Sequence, residues 1–324
     1  MVGSVEWARV SVLVENLTDM LLTDDEDRRI HRFGLIDHFR PPHGKVVCTE
    51  NGISYWIEVG RGNESHTFLF DTGLTGMPCL HNLEALGFDL ADVESIVISH
   101  AHPDHYGGLL RVLERRQATT QVVVHPDAFL KKVLRDGQGN EVLHVNAGFE
   151  RALFEGAGAS IVDAKQPVQL ADGIFATGEI PREQPFEPPI PVRPANAGLF
   201  LVRDGEYVND EATIDDQAVV INVEGEGLIV LTACGHSGII NTVRHAQRAS
   251  GEERIAAVMG GFHLGFPGVP VENVEPTVSA FKKIGPGMIA PMHCSGFHAQ
   301  KALSDALPDA FVQNVVGTTI SFGA

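Results

Sequence analysis

Ile96-Val97-Ile98-Ser99-His100-Ala101-His102-Pro103-Asp104-His105-Tyr106-Gly107-Gly108 is the stretch that decides the fold of this chain. An apolar run reads as a buried strand, and histidines and an aspartate follow it within a few residues. Imidazole nitrogens and a carboxylate oxygen suit zinc, iron or manganese in a hydrolytic site. His100 and His102 are two apart, so an extended segment leaving a strand presents both on one side. Asp104 and His105 fall where the chain turns into a helix and can face a second ion. Gly107 and Gly108 are expected to let the backbone come close to the metals. A lone histidine is usually solvated or hydrogen-bonded in place. That reading fits poorly here, because the polar groups sit together between a strand and a helix.

Other pieces follow in order along the chain. They are Phe68-Leu69-Phe70-Asp71-Thr72-Gly73, Thr177-Gly178-Glu179-Ile180-Pro181-Arg182, Thr232-Ala233-Cys234-Gly235-His236-Ser237-Gly238, Gly260-Gly261-Phe262-His263-Leu264 and Pro291-Met292-His293-Cys294-Ser295-Gly296. With the H-x-H-x-D-H stretch they resemble the metallo-β-lactamase fold superfamily, from about Val10 to about Gly317. Within it they are similar to the branch that includes the archaeal dihydropterin–ribofuranosylaminobenzene phosphate synthases. The resemblance implies an α/β (α+β) fold, a four-layer αβ/βα sandwich with metals at one edge between two sheets. It also implies that Asp71 orients a ligand histidine, where the alternative is a carboxylate that only caps the turn.

His236 and His293 each follow a strand, and strand ends gathered on one edge would complete two sites. The assignment is His100, His102 and His236 for one divalent ion and Asp104, His105 and His293 for another, with zinc expected and iron or manganese as alternatives. The chain departs from the common superfamily pattern in two places. Many relatives carry a bridging aspartate in a Thr-Gly-Asp context, where this chain has Thr232-Ala233-Cys234. Cys234 is either a thiolate ligand or a buried thiol. Relatives often carry a further histidine after Thr-Pro-Gly, where this chain has Thr177-Gly178-Glu179. Glu179 is therefore a candidate ligand or substrate contact. Arg182 is a candidate for a phosphate or carboxylate, through its bidentate fork. His263 is expected in the pocket as a proton donor or substrate contact. Asp215 and Asp216 precede a strand and are read as ending it.

The 324 residues are expected to form a single metallo-β-lactamase-like domain over 1–324, with an insertion at about 18–50 covering the site. Within it, His31 to Lys45 mixes histidine, phenylalanine, glycine and proline and reads as a long irregular lid or surface excursion. The composition, 44% hydrophobic and 20% charged, is ordinary for a globular protein with a sizeable core. Cys48, Cys79, Cys234 and Cys294 are widely spaced without a C-x-x-C pair, which fits a reducing, cytoplasmic setting. No signal-peptide pattern or membrane-spanning apolar run is evident. The formal charge of −18 argues against a nucleic-acid surface. It does not exclude an anionic substrate, since bound ions would dominate the local field.

Strands are expected at Val10–Val14, Ile53–Val59, Thr67–Phe70, Ile96–Ile98 and Val122–Val124, then at Gln217–Val223, Leu228–Thr232, Ile255–Met259 and Met288–Ala290. Helices are expected at Leu80–Leu86, from Gly108 to about Gln117, and over Pro126–Leu134, Ile239–Arg248 and Val274–Ile284. Pro181 to Pro194 contains six prolines and reads as a loop bordering the site. No G-x-S-x-G elbow, Walker loop or dinucleotide fingerprint occurs, so metal chemistry is the only chemistry on view. The first functional reading is a metal-dependent hydrolase acting on an ester, lactone or phosphoester of a small molecule through an activated water. The second, by resemblance, is a transferase joining a dihydropterin diphosphate to a ribofuranosylaminobenzene phosphate. A third is a non-catalytic metal- or ligand-binding protein. A homo-oligomer is left open.

Overall fold

The computed structural model describes residues 2–187, 197–265 and 271–323. An eight-stranded sheet runs in the order Ile30–His31, Thr319–Gly323, Trp7–Val14, Ser54–Arg61, Glu64–Phe70, Ser95–Val97, Thr120–Val124, Ala159–Asp163. A six-stranded sheet runs Val168–Ala171, Ile174–Ala176, Val219–Val223, Gly227–Leu231, Ile255–Gly260, Met288–Pro291. Period-two alternation explains their packing. Val10, Val12, Phe68 and Phe70 face Ile221, Ile229, Leu231 and Met259 in one apolar layer between the sheets. Leu13 and Leu69 point the other way, against Leu83 of the helix Met77–Leu86 and Leu109, Val112 and Leu113 of the helix Leu109–Arg116. The second sheet buries Val220, Val230 and Val258 against the helices Ile239–Ser250, Val274–Ile284 and Phe297–Ala306. Helix, sheet, sheet and helix form the expected αβ/βα layers. Each large side chain buried between them contributes roughly 2 kcal/mol.

The hairpins appear where the turn residues place them. Ser54–Arg61 pairs antiparallel with Glu64–Phe70, and Val219–Val223 with Gly227–Leu231. The rest of each sheet's working half is parallel: Glu64–Phe70, Ser95–Val97 and Thr120–Val124 in one, and Gly227–Leu231, Ile255–Gly260 and Met288–Pro291 in the other. Parallel strands send all their carboxyl ends to one edge, and loops after those ends are where open α/β sheets place ligands.

A third, four-stranded sheet was not foreseen. It runs Glu206–Asn209, Gly198–Arg203, Lys132–Arg135, Glu141–His144. The helix expected over Pro126–Leu134 is one 3-10 turn, Pro126–Phe129, followed by the strand Lys132–Arg135. A strand partner on each side outweighs local helical pattern there. Part of the Pro181–Pro194 loop lies outside the described residues. Of the insertion, Arg28 donates to the carbonyls of Ala310 and Phe311, and the Val46 carbonyl lies 2.7 Å from His81 Nε2. Among the described residues no helix is long and apolar enough to cross a membrane.

Candidate metal centre

Asp71, His100, His102, Cys234, His236, His263 and His293 all lie past strand ends on one edge, and Asp104 and His105 lie in the short helix Pro103–Tyr106 that follows His102. Asp71 follows Glu64–Phe70 and is fully buried, with a left-handed φ of 59°. A non-glycine residue there is strained, and such strain collects at functional sites. Its Oδ1 accepts the Ser99 N–H at 2.7 Å. Its Oδ2 accepts the Ser99 hydroxyl at 2.6 Å and lies 2.7 Å from His105 Nδ1. The Ser99 oxygen is in turn 2.9 Å from His100 Nδ1. One carboxylate therefore fixes the rings of His100 and His105, leaving the Nε2 atom of each for other contacts.

The ring nitrogens of His100, His102 and His236 lie within 4.8 Å of one another, as do ligand atoms of Asp104, His105 and His293. The groups adjoin, with the His100 and His105 ring centroids 4.1 Å apart. Burial pushes His100 and His236 well below the ordinary histidine range, and His102 down to about 4. Those rings are neutral and have lone pairs to offer. Burial would also lower His105 and His293, but Asp104 beside both, with Asp71 on His105, holds them above the ordinary value. Burial would raise the Asp104 carboxyl, and the same two histidines overcome it, leaving Asp104 well below the usual carboxylate range. His236 Nε2 and His293 Nδ1 are buried without a hydrogen-bond partner. Buried polar atoms are rarely left so, and neutral imidazoles clustered with a carboxylate are the donor set a divalent cation satisfies.

Two aspartates read as strand terminators do more. Asp215 Oδ2 accepts the Ala101 N–H at 2.9 Å, between His100 and His102. Asp216 Oδ2 accepts the Ser237 N–H at 2.7 Å, next to His236. The buried Lys132 ammonium lies 2.7 Å from Asp215 Oδ1 and also donates to Asp210. The next residue, Gln217, donates its side-chain amide to the Ile98 carbonyl at 2.8 Å. Glu15 and Asn16 hold His293 by its backbone, through its N–H and its carbonyl, each at 3.0 Å. None of these partners was found by sequence reasoning. The only signal was an acidic doublet before an apolar run.

Cys234 Sγ is 3.2 Å from His105 Nε2, and Cys294 Sγ donates to the Cys234 carbonyl at 3.2 Å. The His263 ring packs against His236 at a tilt of 45°, with centroids 4.2 Å apart, and burial pushes His263 down to about 3. Other candidates lie apart. Glu179 does not join these groups: it is 3.7 Å from His125 Nε2 and 3.9 Å from Lys165 Nζ. Arg182 lines a cavity with His236, His263, Phe186 and Phe262, but its guanidinium is taken up by the carbonyls of Ala212 and His236. Gly107 and Gly108 serve another close approach than the one expected. A Cβ on Gly107 would sit 2.0 Å from the Leu74 carbonyl oxygen, and one on Gly108 2.3 Å from that of Thr72. They seat the His100–His105 loop on the Thr72–Gly76 turn.

The sequence profile of the metallo-beta-lactamase superfamily matches residues 49–237. The 7,8-dihydropterin-6-methyl-4-(beta-D-ribofuranosyl)-aminobenzene-5'-phosphate synthase of Methanocaldococcus jannaschii is 29% identical over 85% of this chain and 90% of its own length. An uncharacterised protein of the same organism is 32% identical over 85% of this chain and 95% of its own. The crystal structure of Tm1679, described as a metal-dependent hydrolase of the beta-lactamase superfamily, shares the fold. It aligns with a TM-score of 0.71 at 23% identity, covering 98% of this chain and all of that one. The profile, these relatives and the histidine-lined strand ends agree: the chain belongs to the metallo-beta-lactamase superfamily, in a branch resembling that synthase.

Proposed function

We propose that this protein is a metal-dependent hydrolase of a small ester, lactone or phosphoester, working as a single domain around two divalent ions, zinc in the first instance. The observation that carries the reading is the pair of adjoining ligand groups, His100–His102–His236 and Asp104–His105–His293. Ions there would supply a water of near-neutral pKa and would polarise the bond under attack. The protein's own part is positional. Asp71 and Ser99 fix the His100 and His105 rings. Asp104 stays ionised, and its carboxylate would help hold an ion and orient a water beside it. His263 is neutral at pH 7 and offers the leaving group a hydrogen bond rather than a proton. Phe186, Ile239 and Phe262 give the adjoining cavity an apolar wall for the substrate body.

The synthase relative favours a second reading, a transferase that joins a dihydropterin diphosphate to an arylamine. The same residues would then stabilise a diphosphate leaving group. Metal analysis of protein purified without chelators comes first. About two ions per chain, falling toward one in His293→Ala, supports the centre; one or none, unchanged in the variant, removes His293 from it. Diphosphate release from a dihydropterin diphosphate is then followed with and without an arylamine acceptor, beside hydrolysis of model esters, lactones and phosphoesters. Release without acceptor supports the hydrolase, and release only with acceptor replaces it by the transferase. Loaded protein that binds such molecules without turnover would be a binding protein instead.

A further inference from the structure

We propose that Cys234 and Cys294 supply sulfur to the His293 side of the centre, making it a thiophilic site for a soft or borderline divalent ion. The inference rests on the reading above that the centre binds metal, and names which ion it favours and why. Cys234 Sγ, Cys294 Sγ and a His293 ring nitrogen lie within 4.8 Å of one another. Cys234 Sγ also closes a group with His100 and His105. His293 is thus shared between an oxygen–nitrogen set through Asp104 and a sulfur–nitrogen set through the two cysteines. Its Nδ1 is buried without a partner.

The pair is brought together by the fold rather than by chain proximity. Cys234 follows the strand Gly227–Leu231 and Cys294 follows Met288–Pro291, with Ile255–Gly260 between them in the sheet. The intervening strand gives way at Gly261. A Cβ there would stand 2.6 Å from Cys294 Sγ and 3.0 Å from Cys234 Cα, so the absence of a side chain is what admits the sulfur. A buried thiol ordinarily behaves as a small hydrophobe. Cys79 does so, packed among Leu83, Leu69 and Trp56. Cys234 and Cys294 stand instead among imidazoles, with their sulfurs within reach of a His293 ring nitrogen, where a bound cation would draw them in as thiolate ligands. Sulfur selects zinc, cadmium and copper(I) over magnesium, calcium and manganese.

The test is cadmium(II) titrated into the metal-stripped full-length protein. A near-ultraviolet sulfur-to-metal absorption band should appear. Alkylation, read peptide by peptide, should slow at Cys234 and Cys294 but not at Cys48 or Cys79. Cys294→Ser should lose about half of the band and bind cadmium at least about tenfold more weakly, since a direct ligand counts for no less than the outer partners that orient one. Its manganese affinity should change less than about threefold, since manganese prefers oxygen. Melting of the metal-free variant separates misfolding from ligand loss, and the wild-type band and alkylation need no variant. Tight metal binding with no sulfur band and unprotected thiols overturns this inference and leaves the centre standing. Failure to bind any divalent ion overturns the centre itself, and this inference with it.

Discussion

The two halves of the centre are built from different chemistry. The His100–His102–His236 half offers only neutral nitrogen, and its loops are pinned by the buried anions Asp215 and Asp216 through Ala101 and Ser237. The Asp104–His105–His293 half mixes oxygen, nitrogen and neighbouring sulfur. Its carboxylate is 35% exposed, and its last histidine is held by Glu15 and Asn16. The first half is a rigid socket whose ring nitrogens resist protons. The second is a charged one in which only the Asp104 side chain is much exposed. The difference suggests that the first half keeps an ion in place while the second tolerates exchange, and each statement can be broken.

The largest effect is expected from the rigid half. His236→Ala would leave its half with two of its three ring nitrogens, and Glu179 lies elsewhere beside His125. Activity should fall on the order of a thousandfold or more, the equivalent of several kcal/mol of lost charge stabilisation. His293→Ala should cost one ion and clearly less activity, because Asp104, His105 and Cys234 remain. Metal analysis beside turnover decides it: a smaller loss in His236→Ala than in His293→Ala would reverse the comparison. Asp71→Ala should weaken both halves together, by about 10–100-fold in metal affinity, because the carboxylate reaches His105 directly and His100 through Ser99. A change confined to one ion in competitive chelator titrations would break that link.

Much of this was legible in the chain. Strand–helix alternation and the placement of ligands after apolar runs gave the layers and the edge where the site forms. Local spacing was enough because each strand end reports its own position. What escaped depends on contacts distant in sequence. Lys132 lies in a segment with helical pattern, and only its pairing with Gly198–Arg203 makes it a strand that aims an ammonium at Asp215. Asp215 and Asp216 look like turn residues until the loops of Ala101 and Ser237 are folded onto them. Cys294 sits next to His293 in the sequence, yet its meaning comes from Cys234, two strands away. Glu179, singled out by family position, lies beside His125 and Lys165 rather than in either ligand group, and Arg182, singled out by its guanidinium fork, reaches the His236 carbonyl.

Asp216 tests the pinning of the rigid half at smaller scale. Asp216→Ala removes the acceptor for Ser237 and should weaken the ion on His236 by about tenfold, as loss of an outer partner does. Asp216→Asn keeps an oxygen acceptor and should restore most of that affinity. If the two variants lower the melting temperature of the metal-free protein alike and leave metal affinity unchanged, Asp216 only supports the fold.

The smallest effect, and the finest discrimination, is in pH. Ligand histidines must be neutral, so protons compete with metal. His105 and His293 lie above the ordinary value, because Asp104 and Asp71 outweigh burial. His100, His102 and His236 lie below it through burial. As pH falls from neutrality, a raised group takes its proton first and a lowered group last. The ion beside Asp104 should therefore leave at a higher pH than the ion held by His100, His102 and His236. A chelating dye that records release against pH would show two steps in the wild type, with the upper step missing in His293→Ala. A single shared step, or loss of the lower one in that variant, would mean that the two halves hold their ions as one unit and that the division between rigid and charged sockets does not extend to metal exchange.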